Sequence, residues 1–217
     1  MIKDNIANIR ERVVFACSKA KTDISKVAVI AVSKTRTVKE IEEVVDCGIT
    51  DLGENRIQEA GLKYKQVQAV KWHMLGHLQT NKVKRALEIF DLIQSVDSLR
   101  LVKEINSQAE KINKVQDILI EIKTSPELSK TGLSITEASL VIEEAFKLKN
   151  IKIKGLMTIA PLVATPEEAR PYFRVLREFR DKINKDFILS MGMSDDFQIA
   201  IEEGSNMIRI GRAIFES

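Results

Sequence analysis

Eight short apolar runs recur along the chain, and a helix-like pattern separates each run from the next. The runs are the candidate strands 27–32, 50–54, 70–76, 91–96, 117–123, 151–157, 186–192 and 206–211. Strand and helix patterns that alternate in this way predict parallel strands covered by helices. Eight such units predict a closed (β/α)8 barrel of the TIM type, in the α/β class.

The helical patterns support the same architecture. Apolar residues at helical spacing over 2–13 predict a helix at the start of the chain. Seven further helices are predicted over 38–48, 55–67, 80–90, 97–111, 134–148, 165–183 and 194–204. Asp97, Ser134 and Thr165 are suitable N-caps for three of them. Only AIFES follows the last strand, so we expect no eighth outer helix and expect the first helix to cover the gap.

An open, doubly wound sheet is the alternative fold. It predicts a glycine-rich loop after the first strand, and the segment SKTRT contains no glycine. A length of 217 residues is normal for one barrel, and no linker or low-complexity segment divides the sequence. We therefore expect one domain over residues 1–217.

The charge and cysteine content of the sequence argue against several classes of protein. The net charge is only +3, from 34 basic and 31 acidic residues, which argues against a nucleic-acid-binding protein. The two cysteines, Cys17 and Cys47, form no metal-binding or disulfide pattern. No signal peptide or membrane-spanning run is evident, so we expect a cytoplasmic protein without a membrane partner.

The first strand ends in an unusual residue for such an apolar segment. Six apolar residues, 27–32, lead into Ser33 and Lys34. Functional residues of a barrel cluster where strands end. In a desolvated pocket a lysine loses its charge, and the neutral amine can form a Schiff base with an aldehyde. The alternative is a lysine that extends along the rim to water.

A second feature lies at the last two strands. Ser190 ends the seventh strand, a glycine turn follows, and Ser194 with Asp195 is expected to cap a helix whose amides attract phosphate. The eighth strand ends in RIGR, which places Gly211 and Arg212 beside the same loop, where barrels often bind phosphate. A reactive lysine and a phosphate-binding site after the last two strands together predict a ligand that carries an aldehyde and a phosphate. Pyridoxal 5′-phosphate (PLP) is such a ligand.

Other candidate groups favour ordinary roles. His73 and His77 are four residues apart, but a strand pattern and Gly76 argue against a metal site on one helix, so we expect structural or rim roles. Tyr64 and Tyr172 fall in predicted outer helices, away from any site at the strand ends.

Six motifs carry a specific resemblance: AVSK, GENRIQE, WHMLGHLQTNK, GLMTIAP, LSMGMSDDF and MIRIGRAIF. In this order and over nearly the whole chain, they closely resemble the pyridoxal phosphate homeostasis protein family, whose fold is similar to the N-terminal barrel domain of alanine racemase. The resemblance implies that Lys34 holds PLP as a Schiff base and that Arg209 faces the pyridine nitrogen. It places Asn55 near the ring, and around the phosphate it places Ser190, Ser194 and Gly211. Arg212 stands where many relatives have threonine, so its guanidinium or the backbone there is the expected phosphate contact.

The resemblance implies a protein that holds PLP and controls the intracellular pools of PLP, amino acids and keto acids, without catalytic turnover. PLP-dependent apoenzymes are candidate recipients, and we expect a monomer. The first alternative is a small PLP-dependent amino-acid racemase. Racemisation needs a second base, and no second domain supplies one. The other alternative is a barrel enzyme in which Lys34 reacts with a sugar phosphate.

Overall fold

A computed structural model describes residues 1–125 and 131–216. Eight parallel strands pair in sequence order and close into a barrel, which confirms the predicted fold and excludes the open sheet. The strands are β1 Ala28–Val32, β2 Asp51–Glu54, β3 Lys71–Met74, β4 Leu92–Val96, β5 Gln116–Glu121, β6 Ile151–Met157, β7 Ile188–Ser190 and β8 Met207–Ile210.

Helices connect consecutive strands on the outside of the barrel. The α-helices are α1 Ile2–Ala20, α2 Val38–Asp46, α3 Ile57–Lys63, α4 Val83–Ile89, α5 Leu99–Lys111, α6 Ile135–Phe146, α7 Arg170–Ile183, α8 Phe197–Glu202 and α9 Arg212–Phe215. Short 3-10 turns precede β1, α4 and α7, at Ile24–Lys26, Thr80–Lys82 and Pro166–Ala169. Within the described residues, no helix combines the length and apolarity that a membrane span requires.

The N-terminal helix closes the outer layer as predicted. Helix α1 contacts α8, α9 and α2, so it fills the gap beside the last strand. Its buried face includes residues at helical spacing, Ile2, Ile6, Ile9 and Val13. One helical turn, α9, does follow β8, where the sequence predicted no helix. Its buried Ile214 and Phe215 belong to the same core as α1.

Strand residues divide into two apolar layers. The larger core joins the outward face of the strands to the helices and includes Leu52, Trp72 and Ile93. A separate cluster draws one residue from each of five strands: Ile30, Leu92, Leu119, Met157 and Met207. Because side chains alternate across a strand, this second cluster fills the inside of the barrel. Residues two positions farther along a strand, such as Gln94 and Arg209, therefore also face inward.

Of the three N-cap residues predicted from the sequence, the structure confirms one. Ser134 accepts from the Glu137 amide and begins α6 with a capping box, as predicted. The cap of α5 is Ser98 rather than Asp97. Asp97 instead binds Nδ1 of His77, at 2.9 Å, so a tertiary contact takes the carboxylate away from the helix end. Thr165 precedes a 3-10 turn and its hydroxyl bonds to the Glu168 carboxylate rather than to a backbone amide.

Two glycines provide a matched test of the packing. A Cβ added to Gly155 in β6 would lie 2.1 Å from the carbonyl oxygen of Ile188 in β7, whereas one added to Gly61 in α3 would meet only ordinary contacts. We expect Gly155→Ala to lower the free energy of unfolding by about 2 kcal/mol or more, because two paired backbones must separate. Gly61→Ala should raise it by up to about 1 kcal/mol through helix propensity. Urea unfolding measures both, and similar effects at the two sites would contradict this packing.

Candidate functional site

The carboxyl ends of the strands form one opening, and Lys34 lies at its edge. It follows β1 by two residues, next to Thr35, which has a left-handed φ of 62°. Lys34 is exposed. Of the two alternatives for Lys34, the structure has the lysine at the rim, since the apolar run ends at Val32 and the turn carries Lys34 out to solvent.

A buried ion pair holds the residue before Lys34. Nζ of Lys63, in α3, lies 2.7 Å from Oε1 of Glu54 and donates to the Ser33 carbonyl at 2.8 Å. The Ser33 hydroxyl donates to the same Glu54 oxygen, at 2.8 Å. Burial raises the pKa of Glu54, against the opposing effects of Lys63 and Ser33. We name Ser33, Glu54 and Lys63 the Ser33 clamp, since together they fix the backbone that leads into Lys34.

Asn55 lies at the same opening, directly after β2. Asn55 is exposed there. Its backbone packs closely under Gly76, where an added Cβ would lie 2.3 Å from the Asn55 carbonyl oxygen. The glycine thus lets the loops after β2 and β3 approach each other.

Arg209 lies inside the barrel near this opening. Its Nη1 donates to Oγ of Ser190 at 2.7 Å, and its Nη2 donates to the Thr158 carbonyl at 2.8 Å. Burial lowers the pKa of Arg209 to about 10, although the carboxylates of Asp196 and Glu121 oppose that shift. Arg209 therefore brings a buried cationic donor to the place where three strands end.

The hydrogen bonds of Arg209 continue through the barrel. The Ser190 hydroxyl donates to Oε1 of Gln94 at 2.6 Å, and Nε2 of Gln94 lies 3.0 Å from Nδ1 of His73. The other ring nitrogen of His73 lies 2.9 Å from Oδ1 of Asp51. Asp51 is the first residue of β2, so these contacts lead to the opposite opening of the barrel. His73 has the structural surroundings that its position in a strand predicted.

The loops after β7 and β8 meet, as the sequence predicted. The Ser194 hydroxyl accepts from the Ala213 amide at 3.2 Å, and Arg212 pairs with Asp195. Ser194 and Asp195 do not cap a helix, however, because α8 begins only at Phe197, after Asp196. Asp196 turns back to accept from the Met193 amide at 2.6 Å, which delays the helix.

The corner is open around Gly211. An added Cβ there would meet only Val32, at 3.5 Å, so a ligand could approach this backbone. Arg212, in contrast, is exposed and already paired with Asp195. Four residues were predicted to surround a phosphate. The structure brings Ser194, Gly211 and Arg212 together and places Ser190 deeper, beside Arg209.

A buried acid lies on the other side of Arg209. Glu121 ends β5 and lines a cavity of about 250 Å³ with Thr124, Ser125 and Ile159. Burial raises the pKa of Glu121, although its carboxylate accepts from the Thr131 hydroxyl at 2.7 Å and the charge of Arg209 opposes the shift. Glu121 therefore gains a proton more easily than an exposed glutamate.

The histidines and tyrosines considered in the sequence analysis do not form a common site. His77 is exposed and pairs with Asp97, while His73 is buried and pairs with Asp51. In the described ranges, no cluster of three or more acidic, histidine or cysteine side chains could hold a metal. Tyr64 is the C-cap residue after α3, with the Arg85 guanidinium 5.5 Å from its ring, and Tyr172 lies in α7.

Sequence reasoning missed two residues that organise the site. Gln94 interrupts the apolar run of β4 two residues after Leu92, so strand alternation could have marked it as a polar residue inside the barrel. Lys63 carried no signal, because its partner Glu54 is on another element and lysine is common on exposed helix faces.

Comparison with known proteins identifies the family of the chain. A family model described as alanine racemase, N-terminal domain, matches residues 2–217. The chain is 40% identical over 219 residues to the pyridoxal phosphate homeostasis protein of Aquifex aeolicus, an alignment that covers 98% of this chain and 96% of that protein. The chain belongs to the pyridoxal phosphate homeostasis protein family.

Solved structures show the same fold. PipY of Synechococcus elongatus, a structure with PLP bound, has a TM-score of 0.87 and 31% identity, covering 99% of this chain and 100% of that chain. Alanine racemase of Clostridium difficile, in complex with cycloserine, has a TM-score of 0.75 and 16% identity, covering 94% of this chain and 59% of that chain. The barrel of this pyridoxal phosphate homeostasis protein family is thus shared with an enzyme whose chain is longer.

The Ser33 clamp can be tested by removing one charge. Lys63→Met leaves the buried Glu54 carboxylate without its cation, and we expect the free energy of unfolding to fall by about 3 kcal/mol. Lys65→Met removes an exposed lysine from the same region and should change stability by less than about 0.5 kcal/mol. Equal losses in the two variants, measured by chemical denaturation, would mean that the buried pair has no special role.

Glu121 should make stability depend on pH. Because burial raises its pKa, protonated Glu121 contributes stability that is fully present below the unfolded pKa, about 4.3, and is lost as the pH rises toward the folded pKa. Glutamine does not ionise, so the Glu121→Gln variant does not lose stability in this way. Its free energy of unfolding relative to wild type should therefore increase with pH.

Glu137 is the control with the opposite sign. Hydrogen bonds from Ser134 lower the pKa of Glu137, so its contribution is present above the unfolded pKa and is lost on acidification. Glu137→Gln should therefore become less stable relative to wild type as pH rises. Urea titrations at a series of pH values give both slopes, and slopes of the same sign would contradict the assignment for Glu121.

Proposed function

We propose that this chain binds PLP through Lys34 and serves in the intracellular homeostasis of PLP and of amino and keto acids. The observation that carries the proposal is the joining of Lys34, Arg209 and the loops after β7 and β8 at one opening of the barrel. Residues 1–217 would act as one PLP-binding domain. The PLP-bound structure of PipY, with 31% identity over 99% of this chain, supports the same ligand.

The donors at the opening fit each part of PLP. When bound, PLP supplies an aldehyde that condenses reversibly with a lysine amine and releases water. Lys34 would provide the amine, and Asn55 would lie beside the ring. Arg209 can only donate hydrogen bonds, so it suits an unprotonated pyridine nitrogen. The phosphate would be bound by Ser194, Gly211 and Arg212, with Ser190 next to Arg209.

A homeostasis role fits these residues better than catalysis. PLP enzymes commonly place a carboxylate at the pyridine nitrogen, which keeps the ring a strong electron sink, and Arg209 cannot accept that proton. A racemase also needs a base on the second face of the substrate, and Tyr64 and Tyr172 are on outer elements. The relatives are named as homeostasis proteins, while the fold occurs in enzymes such as alanine racemase.

We further propose a cytoplasmic monomer whose recipients are PLP-dependent apoenzymes. Cys17 and Cys47 are free thiols, which suits a reducing compartment. Strongly exposed apolar side chains lie on separate elements, such as Leu62 on α3, Leu140 on α6 and Leu162 after β6. This distribution supports a monomer, and sedimentation velocity would test it.

Absorption spectroscopy with equimolar PLP tests the cofactor and its anchor. We expect wild type to develop the visible band of a lysine-bound PLP, which borohydride removes, and mass spectrometry should then locate the label on Lys34. Lys34→Ala should lose the band, while Lys39→Ala, which removes an exposed lysine of α2, should keep it. A wild-type protein without this band would refute the proposal.

Turnover separates the homeostasis role from the racemase alternative. In heavy water, the PLP-loaded protein should leave the α-proton of L-alanine and L-serine in place. Steady exchange of that proton would favour a racemase-like enzyme. Covalent trapping of a sugar phosphate by borohydride, with no PLP band, would favour a barrel enzyme in which Lys34 reacts with a sugar phosphate.

A further inference from the structure

The contacts between Arg209 and Asp51 form one chain of hydrogen bonds with a fixed direction. Arginine can only donate, so the Ser190 hydroxyl accepts from Nη1 of Arg209, at 2.7 Å. The single proton of Ser190 then goes to Oε1 of Gln94, at 2.6 Å. In this arrangement Ser190 has no proton left for a phosphate.

The second half of the chain has the same direction. The Gln94 amide nitrogen can only donate, so Nδ1 of His73, at 3.0 Å, must be the acceptor. The proton of a neutral His73 is then on Nε2, which donates to Asp51 at 2.9 Å. Nε2 of Gln94 is also 3.2 Å from Sδ of Met207, a weak acceptor, which agrees with this orientation of the amide.

No side chain in this series of hydrogen bonds can reorient without breaking a bond to its neighbour. If the Gln94 amide rotated, its nitrogen would face the Ser190 hydroxyl, and its oxygen would need a proton on Nδ1 of His73. The proton on the other ring nitrogen is held by the Asp51 carboxylate. Gln94 and Ser190 are fully buried and Arg209 is nearly so, which makes an unmade hydrogen bond costly.

We propose that Gln94 and His73 are positioning residues for Arg209. Through Ser190, and anchored by Asp51 at the far opening, they hold the Arg209 guanidinium in the direction that the pyridine nitrogen of PLP requires. This inference rests on the proposed PLP function. It assigns Ser190 as the bridge between Gln94 and Arg209, and leaves the phosphate to the residues near the surface.

Nitrogen-15 NMR of the histidine rings tests the chain without any cofactor. The sequence contains only His73 and His77, so a His77→Asn variant assigns both. In the cofactor-free wild type, His73 should be neutral with its proton on Nε2. Ser190→Ala should shift the ring nitrogens of His73, although the two side chains do not touch, because Gln94 loses the donor that holds it.

Ser205→Ala is the matched control. Its hydroxyl is also buried beside β7 and donates to the Met191 carbonyl at 2.7 Å, but it lies outside the chain. The His73 signals should stay as in wild type. A proton on Nδ1 of His73 in the wild type, an unchanged His73 in Ser190→Ala, or equal shifts in the two serine variants would overturn the proposal.

PLP affinity gives the second readout. Gln94→Leu and Ser190→Ala should weaken PLP binding on the order of tenfold, the effect of one hydrogen bond to a charged group, while Ser205→Ala should not. If wild type and all three variants bind PLP equally, the positioning role is wrong and the proposed function stands. If wild type does not bind PLP, the proposed function is wrong, and so is the role of these hydrogen bonds in PLP binding.

Discussion

Closure of the barrel between its first and last strands is the constraint on which the site depends. Strand β1 pairs with β8 from Ala28 and Met207 to Ala31 and Ile210, so the two ends of the sequence become neighbours. This pairing leaves no free strand edge and brings Lys34 to the opening that Arg209 faces. Without this pairing, a sheet with the same strand order would leave β1 and β8 at its two opposite edges. The candidate site thus exists only when all eight strands are in place.

The inside of the barrel combines an apolar cluster with a buried arginine. Ile30, Leu92 and Met157 form part of the apolar filling, and Arg209 lies two residues beyond Met207 on the same face of β8. A buried cation is tolerated only with partners. Ser190, the Thr158 carbonyl and nearby carboxylates supply them. The same bonds that lower the cost of burial also fix the direction of the guanidinium.

Support for Lys34 comes from outside the barrel. The Ser33 clamp lies between β2 and α3, so a helix that contributes no residue to the opening still determines where the turn after β1 begins. Lys34 itself is exposed, so the clamp holds the backbone before it while the side chain remains accessible to solvent. The barrel fold by itself does not specify catalysis, since it occurs both in proteins named for PLP homeostasis and in alanine racemase.

Local pattern in the sequence determined the order and type of the elements. Alternating apolar runs and helical spacing gave the eight strands and the closed barrel, and six motifs gave the family, because periodicity and short motifs are properties of neighbouring residues. The same motifs named Lys34 and Arg209 as candidates.

Contacts between distant residues were decided only by the tertiary structure. The sequence did not show that Lys34 is exposed, that Asp97 binds His77 rather than capping α5, or that α8 begins at Phe197. It also gave no role to Gln94 or Lys63, whose partners lie on other elements. The physical reason is that burial and hydrogen-bond partners depend on how strands and helices pack, and a local pattern predicts the face of an element but not the side chain that it meets.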